Sequence, residues 1–280
     1  IPALGKEISL VQLNMEYNQI SEIPNINGYF CGFEDMENFT FSHNKLKLLP
    51  NIFDAEAIFG MTSVDFSFNE IEGVEDGDAY RGIYVTTLSL AGNKLKEFPS
   101  VLFNKNSNVK SLVLSGNGME KFADGSLKGK NTYFLESLDL TYNKLSKLPN
   151  EFNAVTLPYL YGIDMSNNRF ADFPYGPLNV ARLTVFALRN QRDANGNRIM
   201  REWPTGIYTC IGLRALYLGG NDLRKIDDKI SSNIYIFEIK DNPNISIDVS
   251  AVCAYIRNGY YRLIYDRTQD IRGCDYLNLE

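Results

Sequence analysis

Apolar residues recur along this chain in a fixed phrase. Leu138-Asp139-Leu140-Thr141-Tyr142-Asn143-Lys144-Leu145 returns as Leu88-Ser89-Leu90-Ala91-Gly92-Asn93-Lys94-Leu95 and as Leu216-Tyr217-Leu218-Gly219-Gly220-Asn221-Asp222-Leu223. The underlying template is L-x-x-L-x-L-x-x-N-x-L-x-x-L-P, with asparagines at Asn18, Asn44, Asn69, Asn93, Asn117, Asn143, Asn168, Asn221 and Asn242. A tenth unit at Leu183, Phe186 and Leu188 carries Gln191 in place of asparagine. Ten units have three apolar positions each before the asparagine. All 30 are apolar, where a 44% apolar composition predicts about 13. Six of the ten prolines fall at one template position: Pro24, Pro50, Pro99, Pro149, Pro174 and Pro204.

Each unit predicts one short strand followed by a turn. Apolar residues alternating with others point to one face of a strand, the others to the opposite face. One such strand cannot bury its apolar side alone, so the units stack into a parallel sheet. Asparagine suits the end of the strand because its amide donates and accepts at once where the backbone leaves the sheet. Ten strands at ~4.8 Å give a sheet on the order of 50 Å long.

The template over residues 8–245 resembles the leucine-rich-repeat family, whose repeat is among the more specific sequence signals. Spacings of 26, 25, 24, 24, 26 and 25 residues between asparagines are similar to its medium-length repeats. The resemblance implies an α/β repeat solenoid: a right-handed horseshoe of about ten repeats. It implies a parallel concave β-sheet, an irregular or 3-10 convex side, and a C-terminal helix–strand cap. Residues 1–247 are expected to form the solenoid and 248–280 the cap. Relatives of this type include exported and surface proteins of gut bacteria.

Two places depart from the template. Gln191 breaks the asparagine column, and the Asx- and Gly-rich stretch Asp193–Asn197 after it reads as an exposed loop. After Asn242 the template stops. Asp248 as N-cap, Val249, Val252, Cys253 and Ile256 at helical spacing, and Gly259 at C′ predict a helix. Tyr260–Asp266 reads as β-rich. In a capped solenoid, Cys253 and Cys274 are expected to form a disulfide over the last core layer, worth about 3 kcal/mol. Two buried thiols in a cytosolic cap is the alternative. Cys31 and Cys210 lie too far apart in a solenoid to bridge. The family's exported members commonly carry such a disulfide cap, so the resemblance implies a secreted or cell-surface protein. A signal or anchor would then be absent from the sequence given, since Ile1-Pro2-Ala3-Leu4 is no signal peptide.

Composition narrows the function. The net charge is −6 with no Lys/Arg block, which argues against a nucleic-acid partner. No run of 18 apolar residues suggests a transmembrane segment. Phosphate loops, nucleophile elbows and paired C-x-x-C motifs are absent from the sequence. Asp193-x-Asn195-x-Asn197 mimics the start of a calcium loop, but Arg198 and Pro204 stand where glycine and glutamate are required. No enzyme, cofactor or metal is therefore expected.

What remains is a binding surface, which in this family usually lies on the concave sheet. Repeats 4 and 5 are bland there: Ser89, Ala91, Gly92, Ser111, Ser115 and Gly116. Repeats 6–10 gather Asp139, Tyr142, Tyr161, Asp164, Asn167, Arg189, Tyr217, Tyr235 and Glu238. Aromatic area with carboxylates between suits a protein or peptide ligand. A glycan-binding adhesin and a structural spacer without a ligand are the alternatives. Tyr17, His43, Asp65 and Phe68 form a second candidate group near the start. In either group the rings could instead stack on one another across repeats. The chain is expected to be a monomer.

Overall fold

The computed structural model describes residues 10–23, 35–50, 61–74, 82–83, 85–104, 106–203, 207, 210–226, 230 and 232–278. Three-residue strands recur at the template phrase: β1 (Gln12–Asn14), β2 (Asn38–Thr40), β3 (Ser63–Asp65), β4 (Thr87–Ser89), β5 (Ser111–Val113) and β6 (Ser137–Asp139). They continue as β7 (Gly162–Asp164), β8 (Val185–Ala187), β9 (Ala215–Tyr217), β10 (Ile236–Glu238) and β11 (Arg262–Ile264). All eleven pair in chain order in one parallel sheet. Register follows the repeat, so Leu13 faces Phe39, Leu138 faces Ile163 and Phe186 faces Leu216. The sheet runs one strand beyond the template.

The convex side is irregular, as the short repeat dictates. It holds small parallel pairings such as Leu48–Leu49 with Gly73–Val74, and 3-10 turns at Ser100–Phe103 and Gly176–Asn179. Between the two sides sits one apolar core. Of the 30 template positions, 27 are buried; Leu10, Leu13 and Met15 in the first repeat are only partly covered. No helix of the described residues is long and apolar enough to cross a membrane.

The asparagine column ties each repeat to its neighbour. Asn93 Nδ2 donates to Leu90 O in its own repeat and to Phe66 O in the preceding one, at 3.0 and 2.9 Å. Its Oδ1 accepts from Ile71 N at 2.9 Å. Asn44, Asn69, Asn143 and Asn168 repeat this pattern. Gln191 does not break the column after all. Its longer side chain reaches Met165 O at 3.0 Å and Arg189 O at 2.9 Å and accepts from Phe170 N at 3.0 Å. Gln269, beyond the template, donates likewise to Ile239 O and Asn242 O.

The expected helix over Asp248–Gly259 is shorter than its pattern suggested. The N–H of Val249 donates to Arg272 O at 2.8 Å, holding that residue to the convex strand Asp270–Arg272. Helical bonding then begins as a 3-10 turn, Ser250–Val252, and passes into α1 (Cys253–Arg257). Gly259 has the positive φ of 75° that a residue ending a helix adopts. Cys253 and Cys274 are joined in a disulfide. Cys210 is a buried free thiol whose pKa is pushed up by burial; Cys31 lies outside the described residues.

Candidate functional site

The residue before each asparagine occupies the left-handed region in all ten repeats. Tyr17, His43, Phe68, Gly92, Gly116, Tyr142, Asn167, Asn190, Gly220 and Asp241 have φ between 53° and 73°. Only this conformation swings the chain off the strand so that the following asparagine turns inward. Glycine, asparagine and aspartate tolerate it; for other residues it costs about 1–2 kcal/mol. Four rings carry that cost. Three of them are consecutive and stack: Tyr17 on His43 at 4.3 Å and His43 on Phe68 at 4.6 Å between centroids, within 14° of parallel. In-register strands put side chains one rung apart, which is stacking distance. His43 is thereby half-covered rather than open.

Carboxylates on the concave side do local work first. Oδ1 of Asp65, Asp139 and Asp164 accepts from the backbone N–H two residues on, at Ser67, Thr141 and Ser166, each at 2.8–2.9 Å. Asn14 does the same for Glu16 at 2.9 Å. The second oxygen of Asp139 and of Asp164 makes no hydrogen bond among the described residues. The position that follows the third apolar residue is less open than the alternation suggests. Ser42, Ser67 and Ser166 are buried, each directly before the left-handed residue at which the chain turns.

In repeats 8–10 three candidates come together. The guanidinium of Arg189 lies 4.1 Å from the ring centre of Tyr217 and is paired with Glu238. Glu238, expected to be exposed, is only 5% exposed. Gly219 stands beside it, where a Cβ would lie 3.3 Å from the Glu238 carboxylate. The trio is fixed and internally neutralised, with Lys240 at 4.0 Å from the same carboxylate. Tyr142, Tyr161 and Tyr235 are open, at 67%, 46% and 54% exposure. Neither Tyr142, Tyr161 nor Asn167 makes a ring or ion contact with the trio among the described residues.

A neighbouring group escaped the template altogether. Tyr133 meets Phe134 and Tyr159 edge-on at 5.3 and 4.9 Å, with hydroxyls of the two tyrosines 3.2 Å apart. Arg182 lies over Tyr159 at 4.4 Å. These residues precede the strands, on the rim where the chain enters the sheet. Phe134, Tyr159 and Arg182 share one position, immediately before the first apolar residue of repeats 6, 7 and 8, and that shared position is the signal that could have found them.

The loop after Gln191 turns its acid inward. Asp193 Oδ1 accepts from the N–H groups of Asn195 and Asn197, both at 2.8 Å, and Oδ2 from the Asn197 amide. These bonds hold the Asp193 carboxyl below the usual aspartate range. Arg198 fastens the loop to Asp241. No cluster of three or more metal-ligating side chains occurs among the described residues. A convex groove of about 520 Å³, lined in part by Phe122, Lys147 and Pro149, includes none of the concave candidates.

Known proteins carry the same repeat. The leucine-rich-repeat family model matches residues 134–154. A crystal structure of a leucine-rich repeat protein from Bacteroides eggerthii superposes with a TM-score of 0.90 at 50% identity, over 100% of this chain and 47% of that one. Human lumican is 28% identical over 211 residues, covering 72% of this chain and 57% of lumican. Rabbit lumican is 30% identical over 146 residues, half of this chain and 69% of that protein. The chain thus spans about half the length of the Bacteroides protein and of human lumican. With its buried ladder, its amide column and these relatives, the chain belongs to the leucine-rich-repeat family.

Proposed function

We propose that the chain is a non-enzymatic protein- or peptide-binding module of the cell exterior, holding its ligand on the concave face of repeats 6–10. One observation carries this reading: open tyrosines (Tyr142, Tyr161, Tyr235) stand on a floor held by turn bonds to Asp139 and Asp164 and by the Arg189–Glu238 pair. Such a floor loses little entropy on binding, and tyrosine and arginine dominate binding energy in protein interfaces. The free oxygens of Asp139 and Asp164 supply register. Export is supported by the Cys253–Cys274 disulfide, since such bonds persist in oxidising compartments.

The test uses substitutions that spare the fold. Asp139→Asn and Asp164→Asn keep the turn bond that Asn14 already makes; Tyr142→Ala and Tyr161→Ala remove open rings. The four together should abolish cross-linking to a partner captured from native extract and leave the thermal transition in place. Substituting Tyr17 and Phe68 should preserve capture. Unaltered capture by the fourfold variant overturns the placement, and binding on a glycan array that the same variant loses would replace peptide by sugar.

A further inference from the structure

At the entry to β6–β9 the carboxylate of Glu136 is taken by Lys110 at 3.0 Å, while two arginines stand without an acidic partner. Arg182 is exposed and, apart from its place over Tyr159, makes no hydrogen bond or salt bridge among the described residues. Arg214, two positions before Leu216, leans over Tyr235 at 5.5 Å and donates only to backbone carbonyls, the nearest being Ile211 O at 2.7 Å. The whole chain carries 34 acidic residues against 28 basic ones. Against that acidic background, two arginines without an acidic partner on an aromatic bed are conspicuous in charge. A guanidinium stacked by its face is held in place while its edge, with its fork of N–H donors, stays free for a carboxylate.

We propose that this rim binds an acidic segment of a partner polypeptide, with an aspartate or glutamate carboxylate on Arg182 and adjoining apolar side chains on Tyr133, Phe134 and Tyr159. The partner class rests on the protein-binding reading above, but Arg182, Tyr133, Phe134 and Tyr159 lie outside the concave columns, and only Tyr235 beneath Arg214 is shared with them. A peptide fits better than a small anion because Tyr133 and Phe134 are each about half exposed beside the charge. Phosphate or sulfate would engage the guanidinium and leave those rings bare. Arg214 extends the same chemistry one repeat on from Arg182, so a segment lying along the rim meets a second cation.

The probe is a fluorescent peptide of alternating glutamate and tyrosine, compared by anisotropy with its glutamine–tyrosine counterpart on the whole chain. The glutamate peptide should bind about tenfold tighter or more, the range of one charge-assisted contact. Arg182→Gln should cut that preference severalfold and Arg182→Gln with Arg214→Gln should erase it, while Arg182→Lys should keep part of it, since the charge survives without the fork. No binding of the glutamate peptide, equal binding of both peptides, or an undiminished preference in Arg182→Gln overturns the proposal. So does complete displacement by sulfate at equal ionic strength, which would mark a site for anions alone. Tyr142→Ala bears on the concave reading only: a carboxylate preference that survives it stands whether or not that reading does.

Discussion

The two aromatic groups of this molecule use the same rings in opposite ways. Near the N-terminal end, Tyr17, His43 and Phe68 share one template position, so the register of β1–β3 lays them face to face. Their facing sides cover one another, while the outer rings stay open, Tyr17 at 74% and Phe68 at 54% exposure. On the rim of repeats 6–8, Tyr133, Phe134 and Tyr159 meet edge-on and leave apolar surface uncovered, with a cation above. A column of like residues thus spends its ring faces on one another, whereas unlike residues leave a ring face for a cation. The same rule explains the trio of Arg189, Tyr217 and Glu238, where unlike residues in adjacent columns satisfy each other across three repeats.

The C-terminal half is also the half that is stapled, and cutting the staple is the largest perturbation. Cys253 and Cys274 are 21 residues apart, so Cys253→Ser with Cys274→Ser should cost about 3 kcal/mol through the unfolded chain. Because each repeat contacts only its neighbours, the loss should be graded. Hydrogen exchange should quicken most in β10 and β11 and least around Tyr17 and His43. Uniform quickening along the ladder would mean that the two halves unfold as one unit and that the contrast between them is only one of surface.

Next in size comes the floor beside the N-terminal stack. Gly92 and Gly116 occupy the same left-handed position, at φ 64° and 67°. A Cβ on Gly92 would sit 2.6 Å from the Phe68 ring, whereas on Gly116 it meets only Gly92 backbone at 3.7 Å. Gly92→Ala should therefore cost about 2–4 kcal/mol, combining conformation with overpacking. Gly116→Ala should cost about 1–2 kcal/mol, conformation alone. Denaturant midpoints measure both. Phe68→Ala in the Gly92→Ala background should recover the difference; if it does not, the stack does not lean on the glycine.

Much of this fold was legible because the repeat is a linear code. Alternation alone placed the 30 apolar positions, and the count of asparagines fixed the order of strands. The legible part ends where a residue's role depends on length or on a partner. Gln191 looked like a break because its type differs, yet one extra methylene lets it reach the carbonyl of the preceding repeat and one of its own. Ser42 and Ser166 are buried although a strict period of two would face them outward, because the strand ends before them and the left-handed turn follows. Glu238 looked free because Arg189 is 49 residues away in sequence. The rim of Tyr133, Tyr159 and Arg182 precedes the strand, where the template assigns nothing, and only three adjacent repeats seen together reveal it.

The smallest effect separates the two aromatic groups most finely. The hydrogen bond to Tyr159 holds the Tyr133 phenol above the ordinary tyrosine range, while the nearby charge of Arg182 pulls it the other way. A raised phenol pKa means that folding favours the neutral form. Its stabilisation is present below the unfolded value of about 10 and is lost as pH rises through the folded one. In ring-carbon NMR titrations, Tyr159→Phe should bring Tyr133 down toward ordinary behaviour, and Arg182→Gln should push it further up. Tyr17→Phe, in the stacked column, should leave it unmoved. The two rim variants must shift one phenol in opposite directions. A common direction, or no shift, would mean that Tyr133, Tyr159 and Arg182 are not coupled and that the rim is not a single surface.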